Sequence, residues 1–297
     1  MEMPVVKTVR RAGWVGLLCN LLLATAKAAA GVFGHSQAVL ADALHSLTDS
    51  VTDIAVILGV RYWTAPADED HPHGHGRIET LITVVICISI GLVAVGMGWQ
   101  AIRGLRHGEV VRPPAGIALG VALLSIGVKE ALYRWTAGVG RTVDSPALVA
   151  NAWHHRSDAI SSIPAALAVA VALLVPGWAF VDRVGAIVVC IFILYAAWRI
   201  LHPALNQLID AGAPPEERRR IEKLALEVDG VEAAHALRTR YVGAKLAVEL
   251  HLEVDGGLSV REGHAIAHAV RRRLLAEGPN VIDAVVQIEP YRLRSAE

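Results

Sequence analysis

Long apolar runs alternate with short polar breaks over the first two-thirds of the chain, at about 12–34, 37–62, 78–102, 114–136, 145–175 and 178–201. Each run is near the roughly 20 residues that a helix needs to cross a bilayer. The pattern therefore predicts six transmembrane helices. Near residue 210 it changes: NQLIDAGAPPEERRR replaces an apolar helix with a Pro-rich joint and then charge, which marks a domain boundary. Beyond the joint Pro214, Pro215, Glu216 and Glu217 form a helix start, and Ile221, Leu224, Ala225 and Val228 form its apolar stripe. KLAVELHLEV then alternates strictly. Leu246, Val248, Leu250 and Leu252 point one way and Lys245, Glu249, His251 and Glu253 the other, as in a half-exposed strand. A strand near 235–242, a helix from about 260 to 277 and a last strand near 281–289 complete an α-β-β-α-β unit of ferredoxin-like size. The fold class is thus an α-helical membrane domain of six transmembrane helices, residues 1–210, followed by a C-terminal α+β cytoplasmic domain, residues 211–297.

Composition sharpens this picture. Hydrophobic residues make up 54% of the 297 and charged residues only 19%, with a mean hydropathy of +0.45, values that belong to an integral membrane protein. An even number of spans puts both termini on one side. Lys7, Arg10 and Arg11 at one end and a basic tail at the other make that side cytoplasmic, although Arg103, Arg106 and Arg112 run against the bias. The first span is too long for a cleaved signal peptide. A net charge of zero and 5% aromatics leave neither a basic stripe nor a stacking platform, which excludes nucleic acid as a partner. Cys19, Cys87 and Cys190 stand singly in different spans, so they read as small buried apolar residues rather than a disulfide framework or a thiolate cage.

The second apolar run is where chemistry enters. It contains ADALHSLTD at 41–49, and the fifth run contains ANAWHHRSD at 150–158, a weak repeat matching at Ala41/Ala150, Ala43/Ala152, His45/His154 and Asp49/Asp158. Residues four apart share a helix face, so each pair forms a two-donor edge. Brought together, two imidazole nitrogens and two carboxylate oxygens suit a tetrahedral site for a divalent ion such as zinc. An unpaired ionised side chain at the bilayer centre costs at least about 3 kcal/mol on insertion scales, which a bound cation offsets. The alternative is that these groups only join helices by hydrogen bonds, and a repeated His-xxx-Asp in two spans argues for the metal. Protons and metal compete for the same four groups, which is antiport in outline, with helix rocking alternating the exposure. Asp42 and Asp53 extend the acidic face of the second span. Lys27 and Lys129 each stand alone, Lys129 beside Glu130, and snorkelling or pairing accounts for them.

At these residues the sequence resembles the cation diffusion facilitator family, the proton-coupled exporters of divalent metal, and in particular its bacterial zinc and iron exporters. The resemblance covers nearly the whole chain: six spans, paired motifs in spans two and five, a His-rich loop and a small C-terminal domain. It implies that His45, Asp49, His154 and Asp158 form the transport site, and histidine in both motifs implies zinc, often with cadmium. It implies a homodimer in the bilayer with the soluble domains meeting in the cytoplasm, at a bacterial inner membrane. In the loop ADEDHPHGHGRIE, residues 67–79, the family's second metal site falls on Asp68, His71 and His75, with Asp70 and His73 close enough to substitute. Such loops also bind metal incidentally. The family's basic residue at the start of span three falls on Arg77 and its acidic partner after span six on Asp210.

The soluble domain departs from the family's pattern. His235, His251 and His264 match three ligand positions, but Gln287 replaces an expected histidine and Glu289 an aspartate. Amide oxygen is a poor zinc ligand, so the resemblance leaves either a single or weaker site, with Glu289 or His268 assisting, or plain surface histidines. The expected function is export of zinc, or of iron(II), manganese, cobalt or cadmium, in exchange for protons, with zinc also a regulatory ion of the C-terminal domain. Two other classes compete. An intramembrane metalloenzyme lacks support because no H-E-x-x-H run exists and four protein donors leave no open position for water. A non-transporting metal-binding scaffold of the same fold is opposed by an intact four-residue site.

Overall fold

A computed structural model describes residues 4–107, 112–142 and 146–291, and the side chains of these except at 4–10, 12, 52, 53, 56, 57, 60, 146–148 and 150. The apolar runs form long helices: α1 (Pro4–Phe33), α2 (Gln37–Trp63), α3 (Arg77–Arg106), α4 (Gly116–Thr142), α5 (Pro146–Ser161), α6 (Ile163–Leu174) and α7 (Val181–Leu208). Among the described residues five stretches are long and apolar enough to cross a membrane: Gly13–Phe33, Arg77–Arg106, Gly116–Thr142, Asn151–Leu174 and Val181–Leu208. The remaining expected span, α2, is not among these, and it holds Asp42, Asp49 and Asp53. It is nevertheless 27 residues long. At about 1.5 Å per residue such a helix exceeds the roughly 30 Å hydrocarbon core of a bilayer.

By contacts the chain divides into two units, one of Met1–Leu58 with Val85–Ile200 and the other of Gly59–Val84 with Leu201–Glu297. The first is a helical bundle in which α4 packs on α1, α5 and α6. Its core is built largely of alanine: Ala30, Ala38, Ala41, Ala94, Ala101, Ala118, Ala122, Ala165, Ala168 and Ala186, with Val39, Val169, Val189 and Ile193 filling between them. Small side chains let helix backbones approach closely where lipid supplies no hydrophobic drive between helices. Cys190 belongs to this core, Cys87 is also buried, Cys19 is partly so, and all three are free thiols. The start of α2 is fixed by Ser36, whose Oγ accepts from the Val39 amide at 3.1 Å and donates to Asp182 at 2.5 Å. Asp182, at the head of α7, also accepts from the Gln37 amide at 2.6 Å. A carboxylate at a helix N-terminus satisfies orphan amides and opposes the helix dipole.

The fifth apolar run differs in one respect from a single expected span, because it is two helices separated at Ser162. Pro164 lies in the first turn of α6. It has no amide hydrogen to offer the carbonyl of Ile160, and its ring crowds that carbonyl. The break follows Asp158 by one turn, so the candidate ligand sits just before the interruption.

The C-terminal part of the second unit has the expected element order: α8 (Pro215–Leu226), β1 (Ala233–Val242), β2 (Lys245–Val254), α9 (Val260–Glu277) and β3 (Val281–Pro290). The sheet runs β1-β2-β3, with β1 antiparallel and β3 parallel to the central β2. Leu246, Val248, Leu250 and Leu252 are buried with Ile221, Ala225, Val270 and Leu274 from the two helices, as the alternation requires. Ser259 and Glu262 close a reciprocal capping box at the start of α9. These bonds hold the exposed Glu262 carboxyl below the usual carboxylate range.

Candidate metal centres

Within the helical unit the repeated His-xxx-Asp edges of α2 and α5 supply the donors. His45, Asp49 and Asp158 each offer a ligand atom within 4.8 Å of the other two. His154 stands beside them: its Nδ1 is 3.8 Å from Asp158 Oδ1, but its ring is half exposed and lies outside that trio. Asp49 Oδ2 is buried and has no hydrogen-bond partner among the described residues. A buried carboxylate oxygen left this way is costly unless a cation meets it, so the donor set and its charge fit a divalent ion as cargo. The Asp53 side chain lies outside the described residues. Asp42 belongs elsewhere: buried beside α1, it pairs with Lys27 Nζ at 2.8 Å and accepts from Ser162 Oγ at 2.8 Å. Lys27 also donates to Ser46 Oγ and Ser162 Oγ, each at 3.0 Å, tying α1 to α2 and to the break in the fifth span.

Lys129 does not stand alone in the fold. Its neighbour Glu130 bonds to Arg134 at 2.9 Å. Lys129 itself is 1% exposed and its Nζ lies 2.6 Å from Asp158 Oδ2. Snorkelling is therefore excluded for both Lys27 and Lys129, and pairing is what the structure shows. The available signal was that an ammonium within an apolar helix needs an acid nearby.

In the second unit, Asp68, His71 and His75 form a compact cluster in the loop between α2 and α3. Asp68 Oδ1 accepts from the His71 amide at 2.7 Å and lies 3.2 Å from His71 Nδ1, while Asp68 Oδ2 is 3.4 Å from His75 Nε2. The His71 and His75 rings are 4.4 Å apart. Gly74, at φ 78°, makes the turn that returns His75 to Asp68. The hydrogen bond from the His71 amide, with the two imidazoles adding to it, holds the Asp68 carboxyl below the usual carboxylate range. Asp70 and His73 are exposed and are not among these three donors. Arg77 pairs with Asp210, as the resemblance implied.

A third cluster lies across the sheet. His235 on β1 faces His251 on β2, with ring centroids 5.3 Å apart. Glu289 on β3 reaches both, at 3.2 Å from His235 Nε2 and 2.9 Å from His251 Nδ1. Gln287 Nε2 donates to Glu289 Oε1 at 2.9 Å. His264 lies instead on α9, its ring 6.1 Å from that of His268, and is not in the cluster. Among the described residues these three groups bring together nine of the candidate side chains, Glu289 among them, and leave His154 and His264 outside.

Comparison with known proteins bears on the family of the chain. Residues 13–209 match the model of the cation efflux transmembrane domain, and residues 213–291 match that of the cation efflux protein cytoplasmic domain. An uncharacterized transporter of Methanocaldococcus jannaschii is 37% identical over 262 residues, 88% of this chain and 91% of that one. Metal tolerance protein C1 of Arabidopsis thaliana is 34% identical over 94% of this chain, which spans 62% of that longer protein. The manganese efflux system protein MneP of Bacillus subtilis is 29% identical over 95% of this chain and 96% of its own length. A solved variant of the MamM C-terminal domain, 27% identical, covers 26% of this chain and 94% of its own, with a TM-score of 0.26. The cytoplasmic model is that of a dimerising domain, so the working unit is a homodimer. With both of its parts matched by the family's models, the chain belongs to the cation diffusion facilitator family of divalent-metal efflux transporters.

Proposed function

We propose that the protein exports zinc from the cytoplasm in exchange for protons, with His45, Asp49, His154 and Asp158 as the transport site. The observation that carries this reading is the convergence of His45, Asp49 and Asp158 donor atoms within 4.8 Å around a buried, unpartnered carboxylate oxygen. Two imidazoles and two carboxylates suit zinc better than magnesium, which prefers oxygen alone. With the site open to the cytoplasm the ion displaces protons. Open to the other side, where proton activity is higher, the protons displace the ion. A small rotation of His154 on its exposed rim would complete the four donors. In this account residues 1–210 are the transport domain and 211–297 the cytoplasmic domain, both termini are cytoplasmic, and the membrane is a bacterial inner membrane.

The two outer clusters extend the reading. Asp68, His71 and His75 form a second site near the membrane surface. His235, His251 and Glu289 form a third, through which cytoplasmic metal tightens the dimer, His264 joining from α9 if the helix shifts. A second reading for the cargo, manganese, is supported by the likeness to the manganese efflux protein MneP along nearly all of both chains.

Vesicles reconstituted with the protein and loaded with a zinc-sensitive dye test the antiport. An imposed proton gradient is expected to drive zinc across, and an ionophore that collapses the gradient is expected to stop it. Zinc movement indifferent to the gradient would remove proton coupling, and manganese carried at the expense of zinc would favour the second reading.

A further inference from the structure

Lys129 has no role in the transport scheme, yet it is one of the two most enclosed lysines in the bundle and its partner is a candidate ligand. Its Nζ sits 2.6 Å from Asp158 Oδ2, with the lysine 1% and the aspartate 5% exposed. Asp158 in turn stands within 4.8 Å of the His45 and Asp49 donors. Around His45 the chain thus supplies two carboxylates and one ammonium, and of the two carboxylates Asp49 has a buried oxygen, Oδ2, with no hydrogen-bond partner among the described residues.

We propose that Lys129 is a tethered counter-cation of the transport site: it pairs with Asp158 when the carrier is empty and competes with the cargo ion for that carboxylate when the carrier loads. The inference rests on the reading of these residues as the transport site. An ion about 2 Å from a carboxylate oxygen and an ammonium 2.6 Å from the same group repel each other across a medium of low dielectric. Loading therefore weakens the ammonium's hold on Asp158, and the ammonium weakens the ion's. The bond is charge-assisted and short, which keeps Asp158 compensated while the empty carrier reorients. On release, Lys129 returns to the vacated oxygen and hinders rebinding. Lys27, equally enclosed, is matched to Asp42 and to two serine hydroxyls outside the donor trio, so it holds helices together rather than competing for cargo.

A purely structural bridge from α4 to α5 makes the opposite forecast. Without it the site would loosen and metal would bind more weakly. Competition forecasts tighter binding. The test uses the full-length dimer in lipid nanodiscs at a fixed neutral pH, with His71, His75, His235 and His251 replaced by alanine so that the outer clusters do not contribute. Zinc affinity is measured against a chelating dye for Lys129→Met, Lys129→Gln, Lys129→Arg and Asp49→Ala. Lys129→Met and Lys129→Gln are expected to bind zinc about tenfold more tightly or better, with a lower KM and a lower maximal flux in vesicles, and Lys129→Arg to stay near the parent. Unchanged or weaker binding in Lys129→Met and Lys129→Gln would overturn the proposal. If both neutral variants lose their dimer without metal, zinc is expected to restore it by taking over Asp158, and failure of zinc to do so is equally contrary. Asp49→Ala separates the two layers: parent-like affinity there would remove the transport site itself, whereas its loss with no tightening in Lys129→Met would remove only the counter-cation.

Discussion

In the proposed transport site His45 would contribute a nitrogen and Asp49 a charge, and selectivity would follow from that difference. Replacing His45 by Asp makes the donor set three carboxylates and one imidazole, which favours harder ions that prefer oxygen. Competition flux should show the preference for zinc over manganese falling on the order of tenfold. An unchanged ratio would take position 45 out of the first coordination sphere. Asp68 gives a prediction in pH. The His71 amide and the two imidazoles lower its pKa, so the bond that closes the loop is present above the ordinary carboxylate value and is lost only as pH falls through the lowered one. The His71 amide resonance, followed by NMR on acidification, should therefore keep its bonded position through pH about 4 and move only below it. The repeated His-xxx-Asp pairs could be read from spacing because a helix makes residues four apart neighbours. Lys129 could not be assigned in that way. Its partner lies 29 positions away on another helix, a tertiary contact that no local pattern encodes.

Between elements, the tightest approach that bears on the site is that of α7 to α6 and α2 at Gly185. A Cβ there would lie 2.2 Å from Ala168 Cβ and 3.2 Å from Ala38 Cβ. Helix propensity alone predicts that Gly→Ala gains up to about 1 kcal/mol, but overpacking costs roughly 1–3 kcal/mol. Gly185→Ala should lower the melting temperature in nanodiscs. Gly120→Ala in α4, where nothing lies within 4 Å, should leave it level or raise it. Equal behaviour of the two would mean that the α6–α7 contact does not limit stability. The helices themselves were readable as apolar runs, and the strict alternation of KLAVELHLEV placed β2 and its buried face. The division of the fifth run was readable too, from Pro164, but continuous hydrophobicity masks a single missing hydrogen bond. The cap of α9 announces itself as Ser259 followed three residues later by Glu262.

For the molecule as a whole, an alanine-built bundle carries a small charged cluster in its interior, and a separate α+β domain carries histidines on the open face of its sheet. The division expected near residue 210 rests on composition, because lipid and water impose different compositions on the chain, whereas contacts group Gly59–Val84 with Leu201–Glu297. The pairing of His251 with Glu289 rather than His264 was not, since it depends on the order β1-β2-β3. In the proposed transport the ion passes through the donors of α2 and α5. The most direct test is the initial rate of zinc entry into vesicles bearing equal amounts of the protein with His45, Asp49, His154 or Asp158 singly replaced by alanine. Each is expected to fall at least about tenfold, with the dimer and its melting retained in zinc-free lipid. Four variants that carry zinc at the parent rate would contradict the account.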